Sequence, residues 1–168
     1  LESAKKLGIK FDTIEHALKI NEQMPKYITN SIEEKLQNQG LKKNVLVCGL
    51  SYKANVEDMR DSPSFKIIQE LKKKNFEIFG YDPFFNSDLN EKYLIENHIS
   101  ELNFTKLDNL DDKTIKEISC MCIVQHHDEN KLRIKEIYDK SLIPFIYDCQ
   151  SKLVKNLQSN SHLEFLGN

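Results

Sequence analysis

NVLVCGLSYKANVEDMRDSP, residues Asn44–Pro63, joins a short apolar strand to a helix start through a charged loop. The strand VLVCGL ends at Gly49–Leu50. Ser62-Pro63 has the form of an N-cap followed by proline in the first helical turn. The loop between them sets one lysine, Lys53, and one arginine, Arg60, among acids. A strand, a charged loop and a helix N-terminus are where an α/β sheet holds a nucleotide. The glycine fingerprint of a dinucleotide site is missing, because Gly49 stands without a G-x-G-x-x-G around it.

Upstream of this stretch, Ile14, Leu18, Met24, Ile28, Ile32 and Leu36 mark one apolar stripe on a long helix from Asp12 to about Gln39. Asp12 or Thr13 can cap its start, Pro25 predicts a kink near Asn21–Met24, and Gly40 stops it. Downstream, strand-like and helix-like pieces alternate. Strands are expected over Phe76–Asp82, Phe104–Leu107, Ser119–Gln125, Pro144–Cys149 and Leu163–Gly167. Helices are expected over Ser64–Asn75, Glu91–Asn97, Asp111–Ile118, Lys131–Tyr138 and Lys152–Gln158. Such alternation predicts an α/β fold: a Rossmann-like, three-layer parallel sheet preceded by a long α-helix. The domain boundary falls at Gly40–Lys43, dividing residues 1–40 from 41–168.

The chain has 168 residues, 39% hydrophobic and 30% charged, with a formal net charge of −2. That balance argues against a general nucleic-acid binder, whose footprint is a basic excess. No apolar run approaches the ~18 residues of a membrane span. The N-terminal LESAKKLGIK has no signal-peptide core, which points to a cytoplasmic protein. LESAKKLG itself reads as helix turns stopped by Gly8, as in a piece of a longer polypeptide. Cys48, Cys120, Cys122 and Cys149 all sit in apolar runs and are expected to be buried free thiols.

Sites in a parallel sheet lie beyond the carboxyl ends of the strands. That rule selects Ser51–Arg60, Asp82–Phe85, Gln125–Glu129 and Asp148–Lys152. Lys53 and Arg60 supply a point charge and a planar fork, which together suit a diphosphate. The same residues could instead make local ion pairs with Glu57, Asp58 and Asp61. Asp82 stands where a dinucleotide fold binds a ribose, but a turn aspartate before Pro83 is the favoured reading. Cys120-x-Cys122 with His126-His127 lacks a second C-x-C, which disfavours a metal. His127, at a strand end, could be a site residue or an ordinary loop histidine, and the residues alone favour the latter.

The segment NVLVCGLSYKANVEDMRDSPSFKIIQELKKKNFEIFGYDP resembles the start of the C-terminal domain of the UDP-glucose/GDP-mannose dehydrogenase family. The family pattern G-x-[AS]-[FY]-K-x-x-x-x-D-x-R-x-S-P falls on Gly49, Ser51, Tyr52, Lys53, Asp58, Arg60, Ser62 and Pro63. Y-D-P at the next strand end falls on Tyr81, Asp82 and Pro83. INEQMPKYITNSI resembles the family's central helix, and FIYDCQSKL its last-strand site. The resemblance implies an NAD-dependent enzyme that oxidises the C6 alcohol of a nucleotide sugar to a carboxylate. It implies that Tyr52, Lys53 and Gln150 bind the UDP-sugar, Gln150 standing where relatives commonly carry an arginine. Arg60 would reach NAD held by an upstream domain, which would also carry the nucleophilic cysteine. No catalytic residue is implied in this piece, which alone should be inactive. A homodimer through the central helix is implied as well. The wording YK-x-NV-x-D-x-R looks most like the UDP-N-acetylmannosamine dehydrogenase branch, which places a histidine about where His127 stands. The rival expectation is a stand-alone α/β module that oligomerises through the long helix.

Overall fold

Val45, Leu46, Val47 and Cys48 are apolar at every position, so they suit a strand buried on both faces. The computed structural model describes residues 12–85, 94–96, 103–104, 112–153 and 163–165. In it, helix α1 (Asp12–Asn38) leads to β1 (Asn44–Cys48), α2 (Pro63–Lys73), β2 (Glu77–Tyr81) and β3 (Asn103–Phe104). Then follow α3 (Asp112–Lys116), β4 (Cys120–Ile123), α4 (Lys131–Asp139), β5 (Phe145–Asp148) and β6 (Leu163–Phe165). The six strands form one sheet in the order β3-β2-β1-β4-β5-β6, and every neighbouring pair is parallel. That is the strand order of dinucleotide-binding folds. The expected α/β class and parallel sheet are therefore present.

Successive strand residues point to opposite faces and build two cores. Val45, Val47, Cys120, Cys122, Phe145 and Tyr147 pack on one side with Phe65, Ile68 and Leu71 of α2. Leu46, Cys48, Met121, Ile123 and Ile146 pack on the other with Ile115 of α3 and Ile134 and Ile137 of α4. Ile28, Ile32 and Leu36 of α1 join the first core.

The apolar stripe of α1 thus divides. Its carboxyl half is covered by the sheet domain, whereas Ile14 and Leu18 stay 46% and 44% exposed. The helix assignment runs unbroken through Pro25. At the carboxyl end Leu41 N–H bonds Leu36 C=O at 2.9 Å and Gly40 N–H bonds Gln37 C=O at 3.1 Å. Gly40 has φ +64°, the left-handed closure that glycine accepts without strain. Ser31 and Lys35 of α1 reach Glu164 of β6 at 3.0 and 3.1 Å, tying the first described helix to the last described strand.

Three of the cysteines are buried and free, but Cys149 lies just past β5 and is half-buried, because the apolar run ends before it. Of the expected Glu91–Asn97 helix, only residues 94–96 are described, and they are helical. The helix-stop at Gly8, most of Phe104–Leu107 and all of Lys152–Gln158 beyond Leu153 lie outside the described residues.

Candidate functional site

The strand order changes direction between β1 and β4, since β1 leads to β2 on one side and β4 to β5 on the other. The crevice beyond their carboxyl ends is where such sheets hold ligands. Here β1 and β4 stay together past their last residues. Cys48 C=O accepts from Val124 N–H at 2.9 Å and from Gln125 N–H at 3.3 Å. Gly49 follows at φ +86°, and a Cβ there would lie 2.5 Å from Gln125. Glycine is required at this one point by both space and backbone angle.

The Ser51–Arg60 loop is fastened along its length. Asp82 Oδ2 accepts from Leu50 N–H (2.7 Å), Ser51 N–H (2.9 Å) and Ser51 Oγ (2.6 Å). Its Oδ1 accepts from Phe84 N–H at 2.8 Å, closing the expected aspartate turn. Burial pushes the Asp82 carboxyl up, but the hydrogen bonds from His127 and Ser51 outweigh it and hold the group below the usual carboxylate range. Tyr52 N–H bonds Asp58 C=O at 2.6 Å, and Met59, 1% exposed, anchors the far limb in the core. Ser62 caps α2 with Pro63 at its first position, as expected, its Oγ accepting from Ser64 N–H at 3.3 Å. Ser64 Oγ in turn donates to Gly49 C=O at 2.5 Å, stitching the helix start to the end of β1.

His127, for which the residues alone favour a loop histidine over a site residue, is fully buried. Its Nδ1 accepts from Asn55 N–H at 3.0 Å, so the ring carries its hydrogen on Nε2, which faces Asp82 Oδ2 at 3.1 Å. His126 makes the matching contact on β5, with Nε2 2.9 Å from Asp148 Oδ1. Asp148 also accepts from Gln150, Lys152 and Leu153 N–H. Burial raises the Asp148 carboxyl, but the bond from His126 and these backbone bonds lower it further. Both histidines are thus committed to carboxylates, while Cys120 and Cys122 face the core. Among the described residues no cluster has the makings of a metal site.

The residues singled out from sequence are brought to one end of the sheet, in different states. Lys53 is exposed, and its Nζ stands 5.5 Å from the Tyr52 ring centroid. The Tyr52 ring, 47% exposed, lines a groove of about 410 Å³ with Pro63 and Ile67 on one side and Leu18, Met24 and Pro25 of α1 on the other. Arg60 forks onto Asp58, Nε to Oδ1 at 2.9 Å and Nη2 to Oδ2 at 2.8 Å. That pair holds the Asp58 carboxyl down at about 2. The local ion pair expected as an alternative is therefore made, on an arginine whose side chain remains 71% exposed. Gln150 turns its amide inward, Nε2 donating to Val124 C=O (3.0 Å) and Gln125 Oε1 (2.6 Å).

An NAD site does not fit here. The turn after β1 has no second glycine, and Gly49 is closed against Gln125. The acid at the end of β2, which would take a ribose, is spent on backbone and side-chain donors.

The model of the UDP-glucose/GDP-mannose dehydrogenase family, UDP binding domain, matches residues 46–155. The chain belongs to this family. Its matched span runs from Leu46 in β1 to just past the Asp148 turn and takes in the Ser51–Arg60 loop with its His127, Gln125 and Gln150 contacts, while the α1 side of the Tyr52 groove lies outside it. Among curated relatives, the UDP-N-acetyl-D-mannosamine dehydrogenase of Methanococcus vannielii is 33% identical over 162 residues, covering 92% of this chain and 34% of that protein. The UDP-glucose 6-dehydrogenase of Rickettsia conorii is 27% identical, covering 89% and 32%. Among solved structures, the UDP-N-acetyl-mannosamine dehydrogenase Cap5O of Staphylococcus aureus matches with TM-score 0.59 and 25% identity over 88% of this chain and 30% of its own. The GDP-mannose dehydrogenase of Pseudomonas aeruginosa shares the fold, with TM-score 0.71 at 17% identity over 98% and 36%. The chain spans about a third of the length of the relatives it matches.

Proposed function

We propose that this chain is the substrate-nucleotide half of an NAD-dependent nucleotide-sugar 6-dehydrogenase that converts a UDP-sugar to the UDP-uronic acid. The observation that carries the reading is Lys53, a solvent-facing ammonium on a fastened loop at the switch point of a UDP-binding family domain. In this reading Lys53 and Tyr52 contact the UDP-sugar, and Gln150 supports the same end of the cleft. Arg60, mounted on Asp58, faces across the cleft to NAD bound by another domain. Residues 41–168 form the UDP-sugar domain, and residues 1–40 close a central helical region. The piece alone would be inactive. The closeness to mannosamine-type relatives favours an N-acetylmannosamine sugar, and four free thiols suit a reducing cytoplasm.

Calorimetry of the 168-residue chain with UDP tests this. Wild type should bind, and Lys53→Ala should bind about 10- to 100-fold more weakly, the worth of a charge-assisted bond to phosphate. Indistinguishable binding by the two would sink the assignment of Lys53. In the longer polypeptide, Arg60→Ala with unchanged turnover would remove Arg60 from the cofactor side.

A homodimer is the second part of the proposal. Ile14 and Leu18 lie on the helical face that Ile28 and Ile32 bury further along, yet they stay nearly half-exposed. Sedimentation should show concentration-dependent association that Leu18→Asp weakens. A wild-type chain that stays monomeric at the highest concentrations argues against an autonomous seam on α1.

A further inference from the structure

We infer that Gln125 is a positioning residue, the middle of an amide relay that runs from β5 to the Tyr52–Lys53 backbone and sets Lys53 for a nucleoside diphosphate. The inference rests on the UDP-binding reading above. The relay begins at Asp148, fully buried, whose Oδ1 holds Gln150 N–H at 3.0 Å. Gln150 Nε2 donates to Gln125 Oε1 at 2.6 Å, and Gln125 Nε2 donates to Tyr52 C=O at 3.0 Å.

The direction of both amides is forced. Gln150 Nε2 also meets Val124 C=O at 3.0 Å, and a backbone carbonyl can only accept. Gln150 must therefore present its nitrogen, Gln125 its oxygen to Gln150, and Gln125 its nitrogen to Tyr52. The arrangement persists although it leaves Gln150 Oε1 buried without a hydrogen-bond partner among the described residues. A residue in the middle of such a relay must accept at one end and donate at the other, which glutamate and methionine at position 125 cannot do.

Lys53 is bracketed by two such anchors from the loop leaving β4. Gln125 holds the carbonyl just before it, and His127 Nδ1 holds the Asn55 N–H two residues after it. The second anchor is backed by Asp82, as the first is backed by Asp148. Backbone fixed on both sides of an exposed side chain is preorganisation, which lowers the ordering cost of binding. Gln125 itself is half-buried at the rim, so its side chain is a fastening rather than a part of the core.

The test uses the 168-residue chain, the variants Gln125→Glu and Gln125→Met, and UDP as the probe. Backbone amides of residues 52–55 should exchange hydrogen faster in both variants, while those of β1 and β4 keep wild-type protection and the thermal midpoint stays near wild type. UDP affinity should fall by about 2- to 10-fold, as for one neutral hydrogen bond. Two variants of opposite polarity guard against a misfold in either one. Unchanged exchange at 52–55, or faster exchange with unchanged UDP affinity, overturns the positioning role. If wild type and Lys53→Ala are equally silent to UDP, the functional reading falls. Faster exchange would then leave Gln125 as a fastening of the fold alone.

Discussion

Replacing Asp82 by alanine removes one acceptor and strands the Leu50 and Ser51 donors that it now serves. Buried donors left without partners cost about 1–3 kcal/mol each, so Asp82→Ala should lose at least about 2 kcal/mol in urea unfolding. The same carboxyl sets a pH dependence together with Asp148. Both are held below their ordinary value in the folded protein. Their contribution is therefore complete above the unfolded aspartate value of about 3.9 and is lost as pH falls through the lower folded values. Urea midpoints should be flat with respect to these groups near neutrality and fall on the acid side of about pH 4. In Asp82→Asn that acid loss should be smaller. Gly49→Ala meets both a Cβ at 2.5 Å from Gln125 and a φ of +86°. A cost of about 1–3 kcal/mol is expected from the backbone angle alone, with the collision added. A stability equal to wild type would mean that the ends of β1 and β4 can part.

At the level of elements, α1 makes the contrast that mutation can read. Ile32 is fully buried between the helix and the sheet, whereas Leu18 is 44% exposed on the same helix. Ile32→Ala should cost about 2–5 kcal/mol and Leu18→Ala within about 0.5 kcal/mol, measured by denaturant midpoint. The sequence shows the whole stripe but not where its cover ends, because periodicity reports a face and not the length of its partner. The strands are legible because parallel, doubly buried segments such as Val45–Cys48 and Cys120–Ile123 are continuous apolar runs. Their order is not, since the residues that pair are 17 to 75 positions apart, as Ile146 with Leu163 and Val45 with Cys120. Helix stops were visible at Gly40. The helix ends expected near Asn75 and Tyr138 are present without a glycine, Asn75 and Ser141 taking the same left-handed angle at φ 60° and 49°. At the site, the loop's charges and Ser62-Pro63 could be read directly. The Gln125–Glu129 segment is legible as a site position, but the partners of His127, Gln125 and Met59 are not, because they come from strands and loops remote in sequence.

For the whole molecule, the sheet's two halves meet at β1 and β4, and the site lies over that seam. Fastenings cross it from both sides, Asp82 and His127 on one flank, Gln125, Gln150 and Asp148 on the other. A ligand bridging the crevice should therefore stabilise both halves together. Saturating UDP at about 100 times its dissociation constant should add about 2.7 kcal/mol to unfolding, seen as a single shifted thermal transition. A split into two transitions would mean that the halves respond separately.

Ser31 and Lys35 on α1 wait for Glu164, 133 and 129 residues further along the chain. At synthesis rates of about 5–20 residues per second, that partner emerges some 6–27 s after the helix that needs it. The central strand β1 likewise precedes β4 by about 75 residues, or roughly 4–15 s at the same rates. For that interval the buried half of the α1 stripe, Ile28 to Leu36, lacks the β4 and β5 part of the core it joins. The order of elements along the chain thus gives the nascent protein a timed period of partly exposed apolar helix, which shortens as α2 emerges and ends once the β5 residues of its core, Phe145 and Tyr147, have left the ribosome.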